Sequence, residues 1–390
     1  MHIFFSVGEP SGDQHAAHLM HELQAREPDL RVSGFGGPLM EDAGLESLFR
    51  LTNLAVMGIV KVLPLIAKFY SLVKQAERFF AEQKPDAVVL VDFPGFNWWI
   101  AKKARAAGIP VFYYLPPQLW AWAPWRIKRV RKYVDYVISA LPFERDWYQE
   151  RGIAVDYVGH PFFDEVADHP LDDAFVARWR DGKRRIVALL PGSRNQEVSN
   201  NWPIMLEAAR RLHSDHPDVT FLVACFRDQH RRACQAEQLA NCPSVPVQFF
   251  VGKTSEIIEV ADCAMMVSGS VSLELLARGT PAAVVYRISW LLRIVGPLLI
   301  RCKFMSLPNL LADREVMPEF IPVSDVEPAI HGLHTSLSNW LATPLALEQA
   351  RQSLAETGEG FRETGATVRT AETILRRLGA TAESETEIAA

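Results

Sequence analysis

The stretch Ala87-Val88-Val89-Leu90-Val91-Asp92-Phe93-Pro94-Gly95-Phe96-Asn97 is a five-residue apolar run that breaks at a carboxylate, a proline and a glycine. A short apolar run without polar alternation, rich in β-branched residues, reads as a strand buried on both faces. Its polar sequel would lie where ligands gather in open parallel sheets, outside the carboxyl end of a strand. Runs of the same kind recur at Ile3–Val7, Val111–Leu115, Tyr136–Ser139, Ile186–Leu190, Thr220–Ala224, Gln248–Val251, Cys263–Val267 and Ala282–Tyr286. Between them apolar residues repeat at helical spacing, as in Ala16, Leu19, Met20, Leu23 and in Ile204, Leu206, Ala209, Leu212. Strands alternating with helices imply crossover units and parallel sheets. There are too many units for one compact sheet, and the polar segment His169–Asp181 interrupts the rhythm. The expected fold class is therefore α/β, with two doubly wound domains and a cleft between them.

A length of 390 residues, at roughly 100–200 per domain, agrees with two domains. The net charge of −5 argues against a protein that coats nucleic acid, so no nucleic-acid partner is expected. Five cysteines without a Cys-x-x-Cys pair suggest neither a disulfide framework nor a thiolate metal site. They read as buried thiols of a reducing compartment. Met1 leads directly into an apolar run with no signal-peptide pattern, which points to a cytosolic protein. The most apolar region, Ile288–Leu307, is cut by Arg293, Arg301 and Lys303 into runs too short to span a bilayer.

The first strand ends in Gly8-Glu9-Pro10-Ser11-Gly12-Asp13, where Ser11 is placed either to cap the following helix or to meet a ligand, and Gly12 allows close approach of the backbone. Asp92 reads equally as a general base at a strand end or as a cap of the next helix. Trp120, Trp122 and Trp125 precede the basic helix pattern of Lys128, Arg129, Arg131 and Lys132, suiting a ligand or interface with apolar and anionic parts. In the second half, Pro191-Gly192-Ser193-Arg194 offers amides and a guanidinium fork for a phosphate. Ser268-Gly269-Ser270 precedes a helix start that could hold a diphosphate, with Glu274 in reach of ribose hydroxyls. Lys253 in Gly252-Lys253-Thr254 imitates a Walker loop, but Val247 stands where its first glycine belongs. The eleven histidines form no metal cluster; His15, His18 and His21 share a helical face that reads as solvent-facing. No metal is expected, and no Gly-x-Ser-x-Gly elbow supports a serine hydrolase.

Taken in order, ten motifs resemble the lipid-A-disaccharide synthase family: Gly8–Asp13, Gly36-Gly37-Pro38-Leu39-Met40, Val56-Met57-Gly58-Ile59, Asp92–Asn97, Trp120-Ala121-Trp122, Leu141-Pro142-Phe143-Glu144, Val158-Gly159-His160-Pro161, Leu190–Arg194, Ser268-Gly269 with Leu273-Glu274, and Ser306-Leu307-Pro308-Asn309. The resemblance spans roughly residues 1–375. It implies a GT-B glycosyltransferase, two facing Rossmann-like domains that need no metal or cofactor. The implied reaction moves 2,3-diacylglucosamine from UDP to the 6-hydroxyl of 2,3-diacylglucosamine 1-phosphate, in lipid A biosynthesis. The implied location is cytoplasmic and peripheral, on the inner face of the inner membrane. By the same resemblance Asp92 and Ser11 are the catalytic positions. Gly192, Ser193, Arg194, Ser268, Gly269, Ser270, Glu274 and Asn309 would hold the nucleotide. Gly12, Asn97, Trp120, Trp122, Met57, Leu63 and Ile66 would hold the acylated acceptor.

The implied organisation is an acceptor domain over 1–168, a UDP-sugar domain over 169–345, helices over 346–378 packing back on the first domain, and a disordered tail over 379–390. A homodimer by exchange of C-terminal segments belongs to the same resemblance. The chain departs from the family pattern in three places: Gly95 replaces a second acid, Pro10 a small residue, and Ser270-Val271-Ser272 a Thr-Ala-Thr. Val56–Leu72 offers an apolar path for acyl chains and reads equally as a buried helix. Two alternatives stand beside this reading: another UDP-sugar enzyme of the same fold, either an epimerase or a soluble-acceptor transferase, and a catalytically silent lipid-binding relative.

Overall fold

The computed structural model describes residues 1–54, 65–180, 182, 184–290, 293–294, 296 and 300–389, with backbone alone over 380–389. The chain forms two compact units, Met1–Asp164 with Glu363–Ala390, and Glu165–Arg362. In the first, strands β1 (His2–Val7), β2 (Arg31–Gly36), β3 (Glu46–Arg50), β4 (Ala87–Val91), β5 (Val111–Tyr114), β6 (Tyr136–Ser139) and β7 (Val155–Tyr157) form one parallel sheet. Its order is β3-β2-β1-β4-β5-β6-β7. The strand sequence reverses direction between β1 and β4, so the switch point of this sheet lies where Val7 pairs with Val91.

The second unit holds β8 (Arg185–Leu190), β9 (Val219–Cys225), β10 (Val247–Val251), β11 (Cys263–Met266), β12 (Ala282–Val285) and β13 (Glu319–Phe320). They are again parallel, in the order β10-β9-β8-β11-β12-β13. Here the reversal falls between β8 and β11, where Leu190 pairs with Met266.

Both faces of each sheet are covered, which is why the strands read as unbroken apolar runs. On one face of the first sheet Ile3, Phe5, Val7, Val89 and Val91 pack with Leu19, Met20 and Leu23 of the helix Pro10–Arg26 and with Ala371 and Ile374 of the helix Ala366–Ala389. On the other, Phe4, Val88, Leu90 and Tyr113 meet Leu72, Phe80, Trp98 and Ile100 of the helices Ile66–Gln83 and Pro94–Ala106. The second sheet buries Leu189, Phe221, Val223 and Met265 with Trp202, Met205 and Leu212 of the helix Asn195–Asp215 and with Leu333 and Leu337 of the helix Glu327–Ala342.

The division of the chain differs from the sequence expectation in three places. The first crossing falls at Asp164/Glu165 rather than after 168, because Asp164 is tied to the returning chain. The helix Pro344–Gly358 stays with the second unit, its Leu354 fully buried, so the segment that returns begins only at Glu363. The tail, expected to be disordered from 379, continues the helix Ala366–Ala389.

One carboxylate anchors that return. Asp164 accepts the backbone N–H of Gly365 (2.6 Å), Ala366 (3.3 Å) and Thr367 (2.8 Å) and the Thr367 hydroxyl (2.9 Å), meeting the unpaired donors at the start of the last helix. Asp164→Ala is expected to destabilise the first unit by about 1–2 kcal/mol, read as a lower denaturant midpoint with unchanged slope. An unmoved midpoint would show that the helix is held by its apolar face alone.

Candidate active site

Each sheet gathers its most chemical loops at its own switch point. In the first unit β1 runs into Gly8–Asp13 and β4 into Asp92–Asn97. The chain leaves β4 through two successive non-glycine residues at positive φ, Asp92 at 48° and Phe93 at 44°, before Pro94 opens the next helix. Such residues cost of order 1–3 kcal/mol each and persist where the surroundings dictate them. Asn97 does so here: its amide nitrogen donates to the carbonyls of Asp92 (2.8 Å), Ser6 (3.1 Å) and Val91 (3.2 Å), and its oxygen accepts the Ser6 hydroxyl (2.7 Å). The Tyr113 hydroxyl adds a second donor to the Asp92 carbonyl at 2.8 Å.

Asn97, expected at the acceptor site, is fully buried, and both ends of its amide are used on the ends of β1 and β4, where it holds Asp92 in place.

Gly12 is what lets the helix start approach Asp92. A Cβ there would lie 3.1 Å from both Asp92 Oδ2 and Val7 Cγ1. Burial pushes the Asp92 carboxyl up to about 6, with Glu9 adding to the shift and His15 opposing it. A carboxylate that titrates just below neutrality combines a largely ionised form with useful basicity, the balance a general base requires. Ser11 is exposed on the first turn of the helix, next to this approach.

His15 departs from the solvent-facing stripe expected of it: it is buried, and its ring meets that of His160 edge-on at 6.1 Å, whereas His18 and His21 are exposed. Asp13 is buried as well and caps a different element. It accepts the N–H groups of Gly37 (2.8 Å), Leu39 (3.1 Å) and Met40 (3.2 Å), at the start of the helix Pro38–Asp42.

The loop after β5 carries the predicted tryptophans. Trp120 is half-buried, edge-on to Phe143 at 4.8 Å, and its indole N–H donates to Glu144 Oε1 at 3.0 Å. Trp122 is exposed, with the Arg126 guanidinium 4.5 Å over its ring. Of the apolar acceptor candidates, Ile66 is exposed at the start of the helix Ile66–Gln83, and Met57 and Leu63 lie outside the described residues.

In the second unit β8 runs into Pro191–Arg194 and β11 into Ser268–Ser270, again side by side. Gly192 adopts φ 108°, and a Cβ there would fall 2.8 Å from the Glu197 carboxylate. That carboxylate sits on the loop predicted for phosphate: Oε2 accepts the N–H of Ser193 and of Arg194, both at 3.1 Å, and Oε1 takes Arg194 Nη1 at 2.7 Å. The loop is an anion site already holding an anion of its own chain. Its signal lay in the sequence, a glutamate three residues after the helix cap.

Beside it, Gly269 and Ser270 are exposed, while the Ser268 hydroxyl donates to Met305 O at 2.8 Å. Glu274 is buried and already accepts Arg278 Nε at 3.1 Å on Oε1.

Asn309 is likewise bonded within the chain. It is fully buried and makes four hydrogen bonds inside the chain, donating to Met317 O (2.7 Å) and Glu319 Oε1 (2.8 Å) and accepting the N–H of Val316 (2.7 Å) and Met317 (2.8 Å). Glu319 also accepts the Met305 and Ser306 N–H groups, each at 2.8 Å. The pair shapes the segment that meets Ser268, and no short-range pattern announces Glu319. Four of the five cysteines are buried and Cys302 is half-buried. Among the described residues no three His, Cys, Asp or Glu side chains come together as a metal site, and no helix is long and apolar enough to cross a membrane.

A family model described as Lipid-A-disaccharide synthetase matches residues 3–355. The chain is 35% identical to the lipid-A-disaccharide synthase of Anaeromyxobacter sp. (strain K) over 96% of each protein. It is 37% identical to that of Myxococcus xanthus, over 96% of this chain and 97% of the relative. Among solved structures, UDP-GlcNAc 2-epimerase from Neisseria meningitidis bound to UDP-GlcNAc aligns with a TM-score of 0.67 at 11% identity, covering 96% of this chain and 100% of that one. The glycotransferase of kitacinnamycin aligns with a TM-score of 0.61 at 16% identity, covering 96% and 98%. These two likenesses show a shared fold.

An anion placed on the Ser193 and Arg194 amides must compete with Glu197. Glu197→Gln is expected to bind pyrophosphate roughly tenfold more tightly by calorimetry, because the amide keeps an acceptor on the loop and removes the charge. Weaker binding by the folded variant would mean that Glu197 organises the loop rather than occupying it.

Proposed function

The chain belongs to the lipid-A-disaccharide synthase family, and from that premise we propose that Asp92 is its general base and the Gly192–Arg194 loop its diphosphate site. It is a GT-B glycosyltransferase of lipid A biosynthesis. It joins 2,3-diacylglucosamine, carried on UDP, to 2,3-diacylglucosamine 1-phosphate, giving the disaccharide 1-phosphate and UDP.

In the proposed step Asp92 takes the proton of the acceptor 6-hydroxyl as that oxygen attacks the anomeric carbon. The bond from this carbon to the UDP oxygen breaks, its electron pair leaves with the diphosphate, and the anomeric centre inverts. Charge growing on the diphosphate is met by the Ser193 and Arg194 amides and the Arg194 guanidinium once Glu197 yields them. No cofactor takes part in this scheme. The observation that carries the base assignment is the raised Asp92 carboxyl, about 6, at a strand end with its backbone clamped by Asn97 and Tyr113.

Asp92→Ala is expected to lose transfer by roughly 10²–10⁴-fold while still binding UDP, with disaccharide phosphate followed by mass spectrometry. Comparable product from both proteins would remove Asp92 as the base without touching the family.

The same proposal extends to the membrane and to assembly. Ile66 and Tyr70 on the helix Ile66–Gln83, Trp99 on the helix Pro94–Ala106 and Trp125 in the turn Pro124–Arg126 are exposed large apolar residues, and Lys68 and Lys102 of the same two helices are exposed as well. Aromatic rings mixed with lysines suit the head-group region of an anionic bilayer, such as the inner leaflet of the inner membrane facing the cytoplasm. Exchange of the helix Ala366–Ala389 between two chains would form a homodimer, reusing the contacts that it makes here. Changing Ile66, Trp99 and Trp125 to Ser is expected to reduce flotation with anionic liposomes at least tenfold; full flotation of the folded variant would remove this face from the proposal.

A further inference from the structure

Arg126 carries a half-buried guanidinium that the scheme above does not use. It lies against the face of Trp122, 4.5 Å from the ring centroid, and among the described residues no carboxylate or carbonyl accepts from it. Other half-buried arginines of the chain are partnered: Arg211 with Glu207 and Glu327, Arg278 with Glu259 and Glu274, and Arg369 with the Val158 carbonyl. The surrounding segment offers Arg126 no counter-charge. From Pro116 to Val134 it holds Arg126, Lys128, Arg129, Arg131 and Lys132 and no acid. A guanidinium drawn part-way out of water among like charges is disfavoured until an anion joins it. In keeping with this, burial and then the charge of Arg129 hold the Arg126 pKa below its ordinary value.

The turn fixes ring and guanidinium together. The Trp122 N–H bonds the Gln118 carbonyl at 3.3 Å, Ala123 takes φ 55°, Pro124 sets the next φ, and the Arg126 N–H returns to the Ala123 carbonyl at 3.0 Å. This loop leaves β5, the strand beside β4: Tyr114 pairs with Val91, and the Tyr113 hydroxyl bonds the Asp92 carbonyl. We propose that Arg126, braced on Trp122, binds the terminal phosphate of a sugar phosphate acceptor and so selects which sugar offers its hydroxyl to Asp92. The proposal rests on the function proposed above. There the acceptor ends in a phosphate monoester, whereas the donor's diphosphate is esterified at both ends. A planar guanidinium fork grips two oxygens of a terminal phosphate at once, and the monoester presents more free oxygens and more charge. Trp125 of the same turn belongs to the face assigned to the bilayer, so an acceptor still seated among lipids would bring its phosphate to this depth.

Lipid head groups carry similar oxygens, and the experiment separates the two sources. In neutral detergent micelles, Arg126→Gln is expected to raise KM for 2,3-diacylglucosamine 1-phosphate roughly 10–100-fold and to move KM for the UDP-sugar less than about twofold. Arg126→Lys keeps the charge without the fork and should fall between Gln and the native protein. Equal rises in both KM values would mean that Arg126 only shapes the fold, and would overturn the proposal. An unchanged acceptor KM, with flotation on anionic liposomes lost, would assign the guanidinium to head groups and overturn it as well.

A second arm needs no turnover. Glucosamine 1-phosphate is titrated with protein and followed by phosphorus NMR, with UDP present to fill the nucleotide loop. The native protein should broaden the phosphate signal, and Arg126→Gln should bind roughly tenfold more weakly. Equal broadening by the two proteins, or none by either, would remove the site. Failure of the native protein to make disaccharide, with this binding difference intact, would count against the proposed function and leave the phosphate site standing.

Discussion

The side chain of Asn97 makes four hydrogen bonds that tie the end of β1 to the end of β4, at the one place where the first sheet reverses its strand order. Two parallel strands that part in opposite directions leave backbone carbonyls there with no ladder partner, and in a buried setting each such group costs about 1–3 kcal/mol if left unpaired. Asn97 answers that demand and thereby holds two residues at positive φ. The rest of the site inherits its geometry: Asp92 is presented, Gly12 is required to be small, and Phe93 is free to fill the space over Gly8. An aspartate titrating near 6 follows from the same crowding, and keeping it ionised at neutral pH costs the fold of order 3 kcal/mol.

A second theme is the carboxylate that caps. Asp13, Asp164, Glu197 and Glu319 each collect two or more backbone N–H groups, and each shapes a loop or helix start. An acid so bonded has its charge spread over amides that would otherwise lack partners. At Glu197 the device coincides with the predicted phosphate loop. One carboxylate oxygen there sits on two amides, the contact that a phosphate oxygen would make, so the loop is shaped for an anion before any arrives.

The central strands and both switch-point loops were legible because strands buried on both faces leave unbroken apolar runs, and their ends are punctuated by Gly, Pro, Ser and Asp. What escaped was β2, β3, β7 and β13. β2 carries Ser33 and Gly34 inside its run, β3 lies at an edge with exposed residues, and β7 and β13 are three and two residues long. The ligand positions expected of Asn97 and Asn309 come from the family resemblance, and the motifs carry no sign of the internal hydrogen bonds that both amides make. His15 and Glu144 meet residues far along the chain, His160 and Trp120, and no local pattern encodes such pairs.

The first unit is built from both ends of the chain, with Ala371 and Ile374 supplying part of the apolar layer that covers β1 and β4. On the ribosome this imposes an order. When Asp164 leaves the exit tunnel the first sheet has all seven strands but lacks one covering helix, and it must wait while residues 165–362 are made, roughly 10–40 s at about 5–20 residues per second. The second unit, continuous in sequence, completes itself during that interval. The nascent first unit therefore exposes a ready apolar strip along the helix Pro10–Arg26, which makes the last helix the step that closes folding and the strip a natural target for chaperones until then.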